Sequence, residues 1–233
     1  AKMIPIRDQL RTHHTPVVNY LLILINVVVF GLMWLAGPAQ ESIVYKFAMI
    51  PANFANGVSL GDILDIFSSM FMHAGLAHIG GNMLYLWIFG DNVEDRLGSL
   101  NYLVFYLVGG VVASLAHLLT NPGSQIPTVG ASGAIAAVLG AYLVLYPKSR
   151  ILTFIPLGFF MRLTMVPATI VLGFWFLMQL FSGFLSMGGP DVGGVAFWAH
   201  VGGFVAGVIM ALPAAAKKRS EEHTSELQSP YVI

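Results

Sequence analysis

VVNYLLILINVVVFGLMWLA, residues Val17 to Ala36, runs for twenty residues without a charged side chain. A helix rises about 1.5 Å per residue, so about 20 apolar residues cross the hydrocarbon layer of a bilayer. Five further apolar stretches follow: Leu76–Gly90, Leu100–Leu119, Ala131–Tyr146, Met165–Leu185 and Gly194–Leu212. The second and fourth of the six are short by that measure. Short spans predict helices enclosed by protein, with polar ends recessed below the membrane surface. The expected fold is an all-α membrane protein, a bundle of six transmembrane helices.

Composition points the same way. Hydrophobic residues make up 57% of the 233 and charged residues 9%, against about 25% charged in soluble domains. Such a chain lacks the polar surface to face water on all sides. Its length predicts one domain. No cysteine is present, which excludes disulfides and thiolate metal sites. Zero net charge without a basic run predicts no nucleic-acid partner. A six-helix domain over 17–213 is expected, after a segment 1–16 and before a tail 214–233. In the tail, RSEEHTSELQS (Arg219 to Ser229) resembles a common sequencing adapter translated in one frame, so 219–233 is expected to be artefactual. Ala1 and Lys2 are expected to precede a natural start at Met3, and no cleavable signal peptide is expected.

The connections are unequal. Gly37 to about Phe67 carries Phe47, Met49, Ile50, Phe54, Ile63 and Ile66 among few charges, and is expected to lie in or on the membrane interface. Arg150–Arg162 is read as a second interfacial segment. Ser186–Gly194 is a glycine-rich loop. Pro38, Pro122, Pro147, Pro190 and Pro213 fall in or beside the proposed connections. With six spans, Arg7, Arg11, Arg96, Lys148, Arg150, Arg162, Lys217 and Lys218 all fall on one side, and Lys46 on the other. The positive-inside rule then places both termini in the cytoplasm.

Polar side chains inside apolar stretches are expensive in hydrocarbon and are functional candidates. Ser132 lies in Gly130-Ala131-Ser132-Gly133 at the start of the fourth span, where free backbone N–H groups face a developing anion. Taken alone, a serine between glycines is more often a helix-packing site. His200 lies near the start of the sixth span, and alone is more often a buried histidine bonded to a neighbour. Gly203 and Gly207 form a Gly-x-x-x-Gly pair that predicts tight helix packing. His78 and Asn82, four residues apart, share a helix face, as a polar pair joining helices or as two oxyanion donors. His73 has a weaker claim, and His117 is read as structural or solvated. In the six-span topology Asn82, Ser132 and His200 all lie near outer ends, roughly 2–10 Å below the span starts. A nucleophile, a base and oxyanion donors must meet within hydrogen-bond reach, and this arrangement allows it. No acid completes a triad: Asp91, Glu94 and Asp95 sit at the opposite end of the second span.

Three runs carry a specific resemblance. HAGLAHIGGNMLYLWIFGDNVEDRLGS (His73–Ser99), GASGAIAAVLGAY (Gly130–Tyr142) and WAHVGGFVAG (Trp198–Gly207) resemble, in order and spacing, the signature segments of rhomboid intramembrane serine proteases. The opening MIPIRD and the run GFWFLMQLFSG resemble a bacterial subgroup. The resemblance implies a six-helix core, Ser132 as nucleophile, His200 as its base, and an oxyanion hole from His78, Asn82 and the Ser132 N–H. It implies transmembrane protein substrates, a lipid surround, and no metal or organic cofactor. The chain is expected in a bacterial inner membrane, with its active site near the outer face. Two departures stand out. A tyrosine that some members carry four residues after the serine is Ala136 here, leaving open what orients His200. No tryptophan occurs in Gly37–Phe67 to anchor that loop. Rival readings are a non-catalytic, client-binding relative, and a transporter using His73, His78 and His200 as a proton or metal path, although the inner halves of the spans offer no ionisable relay. For substrate access, Phe174, Trp175 and Phe176 of the fifth span are expected to close against Trp87 or Phe89 of the second as a lateral gate.

Overall fold

A computed structural model describes residues 3–157, 160–187 and 195–227. A short strand, β1 (Ile4–Asp8), leads into the first long helix, α1 (Val17–Leu35). The first loop contains α2 (Gln40–Phe47) and α3 (Leu60–Ser69), with short 3-10 turns at Gly37–Ala39 and Pro51–Asn56. The second expected span is α4 (Leu76–Tyr85) with a π-helical turn over Leu86–Gly90, and α5 (Asp91–Leu97) follows beyond its end. Then come α6 (Ser99–Thr120), α7 (Ser132–Leu145), β2 (Arg150–Leu157), β3 (Phe160–Pro167), α8 (Ala168–Ser186) and α9 (Phe197–Leu227).

Among the described residues, four helices are long and apolar enough to cross a membrane: α1, α6, α8 and Phe197–Lys217 of α9. The shorter α7 is the centre of the bundle. Ten of its 14 residues are buried, so it never needs to match the bilayer by itself. Around it pack Phe89, Tyr102, Tyr106, Leu172 and Phe204. This is the protein-enclosed short helix that the sequence predicts. Leu24, Leu32, Trp34, Leu119, Leu177 and Ile209 are exposed on the outer helices, as a lipid-facing surface requires.

Polar groups fix the end of the bundle remote from Ser132. Glu94, itself buried, accepts from the Val18 N–H (3.0 Å), the Asn19 N–H (2.7 Å) and the Ser99 hydroxyl (2.6 Å). A carboxylate from α5 thus satisfies orphan donors at the start of α1, where the helix dipole favours negative charge. Asn19 reaches across to the π turn: its Nδ2 donates to the Leu86 carbonyl, 3.0 Å, and its Oδ1 accepts from the Tyr102 hydroxyl, 2.8 Å. Asp8 accepts from Tyr142 Oη (2.7 Å) and Asn92 Nδ2 (2.9 Å), tying β1 to α7 and α5.

The structure adds to three readings and corrects one of them. Arg150–Arg162, read as an interfacial segment, is built from strands: β2 pairs antiparallel with β1 on one side and β3 on the other. Its β-branched and aromatic residues suit a strand, and Ile151 and Thr153, two apart, are both buried. Pro213 does not end the sixth span but lies inside α9, which continues to Leu227. Arg96 Nη2 donates to the Ala214 carbonyl, 3.1 Å, one residue beyond the proline. The first loop is held without tryptophan: Thr128 N–H donates to the Met49 carbonyl (2.8 Å), Ala52 N–H to Ser124 (2.9 Å) and Gly130 N–H to Ser69 (2.9 Å). Within the glycine-rich loop, residues 188–194 lie outside the described residues.

Burial raises the carboxyl of Asp91, beyond the end of the second span, to about 6, with Asp8 contributing repulsion. A carboxyl that binds its proton more tightly when folded contributes stability below its unfolded value, lost as pH rises through the folded one. The melting temperature in detergent should therefore fall between about pH 4 and pH 6. Asp91→Asn, which keeps the oxygen that accepts from Asn92, should flatten that slope and stabilise the protein at pH 7. An unchanged slope in the variant would contradict the assignment.

Candidate active site

The site exists because α7 and α9 approach to backbone contact. A Cβ on Gly203 would collide with the Gly133 carbonyl, one on Gly207 with the Ala137 carbonyl, and one on Gly140 with the Phe204 carbonyl. Glycines therefore line both sides of the seam, the small-residue packing expected of membrane helices. The seam brings the N-terminal ends of α7 and α9 side by side, with Ser132 on one and His200 on the other.

Ser132 Oγ lies 2.7 Å from His200 Nε2. His200 is buried and Ser132 half-buried, so the hydroxyl retains an open side. Ser132 is the first residue of α7, and the first intrahelical bond at this end runs from the Ile135 N–H to the Ala131 carbonyl. The N–H groups of Ser132, Gly133 and Ala134 thus precede the hydrogen-bonded ladder and are free by helix geometry to meet an anion. Across from Ser132, His200 Nδ1 lies 2.7 Å from Gln179 Oε1 on α8, and the Trp175 ring stands 5.8 Å from the imidazole at an interplanar angle of 32°.

The α4 groups gather on the other side of the serine. Gly130 has φ +130°, and a Cβ there would lie 2.8 Å from His78 Nε2 and 3.6 Å from Ser132 Oγ. The missing side chain leaves a small space between imidazole and hydroxyl. The Ala74 N–H points at His78 Nδ1 at 3.5 Å, which leaves the ring proton on Nε2, facing that space. Asn82 is buried, with its Nδ2 2.8 Å from His73 Nε2. One amide hydrogen is thereby engaged and the second is available. His73, fully buried, stands edge-on to His78 with ring centroids 5.0 Å apart. Its role as the partner that fixes Asn82 exceeds the weak claim its sequence position suggested.

The aromatics expected to form the gate have other ring partners. Phe176 stacks on Phe204 of α9 at 4.6 Å, and Trp175 faces Phe204 at 6.0 Å. Phe174 is exposed. Trp87 stacks instead on Tyr20 of α1 at 5.5 Å, and Phe89 packs against Tyr85 and Tyr142. Among the described residues no aromatic pair joins the second span to the fifth. Trp175 and Phe176 of α8 serve its seam with α9. Gln179 is the site residue that sequence reasoning missed. Its signal was present, a polar amide inside an apolar span and one turn beyond Trp175, so that both side chains share a face.

The sequence profile of the Rhomboid domain matches residues 60–217. This chain belongs to the rhomboid family, and its apolar helices make it an integral membrane protein. It is 33% identical over 149 residues to Rhomboid protein 1, mitochondrial, of Saccharomyces cerevisiae, covering 62% of this chain and 41% of that protein. To the rhomboid protease GluP of Bacillus subtilis it is 28% identical over 200 residues, covering 86% of this chain and 36% of that one. The human presenilin-associated rhomboid-like protein, mitochondrial, is 32% identical over 135 residues, 57% of this chain and 34% of its own length. The matched region thus spans about a third to two fifths of these relatives.

The α7–α9 seam predicts an asymmetry between glycines. Gly207→Ala should lower the melting temperature sharply, since overpacking costs about 1–3 kcal/mol or more. Gly80→Ala should be close to neutral, because a Cβ on Gly80 meets nothing within 4 Å. Equal melting temperatures for the two variants would refute the close-approach account.

Proposed function

We propose that this chain is an intramembrane serine endopeptidase that cuts transmembrane or juxtamembrane segments of membrane proteins. The observation that carries the reading is the 2.7 Å contact between Ser132 Oγ and His200 Nε2 at the free N-terminus of a buried helix. Ser132 Oγ attacks the scissile carbonyl carbon while its proton passes to His200 Nε2. The carbonyl oxygen becomes an anion, met by the Ser132 N–H, the free hydrogen of Asn82 and His78 Nε2–H. Collapse of the tetrahedral species breaks the C–N bond, and His200 returns the proton to the leaving amine. Water then attacks the acyl ester through the same groups in reverse and restores Ser132. The membrane is proposed to be a bacterial inner membrane, with both termini cytoplasmic and the serine towards the outer face, on the asymmetry of Arg and Lys already described.

Cleavage of a reporter transmembrane substrate by the purified protein tests this reading. Ser132→Ala and His200→Ala should each abolish it while the protein remains folded and inserted. Groups that act as a unit lose activity together, so the double variant should be no worse than either single. Substantial cleavage by Ser132→Ala would refute the mechanism. Asn82→Ala should lower kcat by up to about 10²–10³, the usual loss for one oxyanion donor, with KM little changed. A rise in KM at constant kcat would assign Asn82 to substrate binding instead.

A further inference from the structure

We propose that Gln179 is the positioning residue for His200, its amide oxygen selecting the ring tautomer that can act as a base. This rests on the reading of Ser132 and His200 as nucleophile and base. A neutral imidazole carries one proton. On Nε2 it would point at Ser132, and the ring could not take the hydroxyl proton. On Nδ1 it leaves Nε2 as an acceptor towards Ser132 Oγ, 2.7 Å away. An amide oxygen only accepts, so Gln179 Oε1 at 2.7 Å from Nδ1 stabilises the productive tautomer.

The same bond strengthens during the reaction. As the Ser132 O–H bond breaks and an N–H bond forms at Nε2, the ring becomes an imidazolium. Its Nδ1–H is then a charged donor, and hydrogen bonds to charged groups exceed neutral ones. Gln179 thereby does from α8 what a carboxylate does in a triad, without adding a buried charge. Trp175, one turn earlier on the same helix, provides the ring beside the imidazole at 5.8 Å. The position four residues after the serine, Ala136, is fully buried and has no ring to offer. Orientation of His200 has thus passed from its helix neighbour α7 to α8.

The test uses the full-length protein with 15N-labelled histidine. In the wild type the shifts of the His200 ring nitrogens should report a protonated Nδ1 and a bare Nε2, and Gln179→Met, similar in length but without the acceptor, should give a mixture of tautomers. On the reporter substrate Gln179→Met should lose about tenfold or more in kcat, the scale of a lost hydrogen bond, with KM unchanged. Gln179→Glu keeps an acceptor oxygen in either protonation state and should recover part of the loss. A wild-type ring protonated on Nε2 would overturn the proposal, even if the variants fail to fold. So would an unchanged kcat in Gln179→Met, or a Glu variant no better than Met. The ring shifts do not depend on turnover. A wild type that cleaves nothing yet shows the Gln179-dependent tautomer would count against the protease reading and leave this inference standing.

Discussion

Contact between the backbones of α7 and α9 is the constraint on which the site depends. In lipid, apolar side chains gain little by leaving hydrocarbon for a helix interface, so association rests on packing, polar contacts and close approach. Gly140, Gly203 and Gly207 allow that approach, because each would place a Cβ on the other helix's backbone. A serine and a histidine have short side chains. They meet at 2.7 Å only if their helices nearly touch. The seam that holds the bundle together is therefore also what sets the distance between Ser132 and His200.

The polar groups at the other end of the molecule serve the same geometry from a distance. Glu94 caps α1 from α5, and Asn19 bonds the π turn in the second span. Asn19 packs so closely that a Cβ on Gly90 would overlap its Oδ1. These contacts pin α4 and α5 against α1 and set the depth at which His78 and Asn82 stand beside Ser132. At the Ser132 end, the first loop is bonded through Met49 and Ser69 to the segment that ends in Gly130. The loop before Ser132 is thus part of a backbone network, and Gly130 holds a conformation that leaves room next to His78.

Much of this was legible in the amino-acid sequence, because hydrocarbon imposes a length rule that few other environments impose. The ends of α1 and α6 lie within a residue of those read from apolar length alone. Ser132, His200, His78 and Asn82 stood out because polar atoms in apolar spans are costly, and the fold brings all four to one place. The β2–β3 hairpin was not legible, since a short apolar run between arginines does not by itself distinguish an interfacial segment from strands. The packing of Phe174, Trp175 and Phe176 was not legible either. On a helix apolar all round, periodicity marks no buried face, so Phe204 as the partner of Trp175 and Phe176 could not be separated from Trp87. The importance of His73 depended on a contact to Asn82 nine residues away across a turn, which spacing does not reveal.

That no carboxylate stands beside His200 among the described residues suits the solvent. A buried carboxylate must be compensated by several donors, and the desolvation cost of an ion pair can exceed its Coulombic gain. At the far end of the bundle Glu94 has such donors, from two backbone N–H groups and a hydroxyl. Beside His200, α8 offers an indole ring and an amide. The amide supplies a directional acceptor and a dipole, and neither must be stripped of a full hydration shell when the helix enters the bilayer. A carboxylate there would raise the basicity of the imidazole, but it would also favour the protonated ring at rest. On the proposed reading, the neutral acceptor would leave Nε2 bare at rest and strengthen its hold only when the proton arrives. A base built this way would draw its orientation from packing between α8 and α9, and the transmembrane segments would need to carry no charge to provide it.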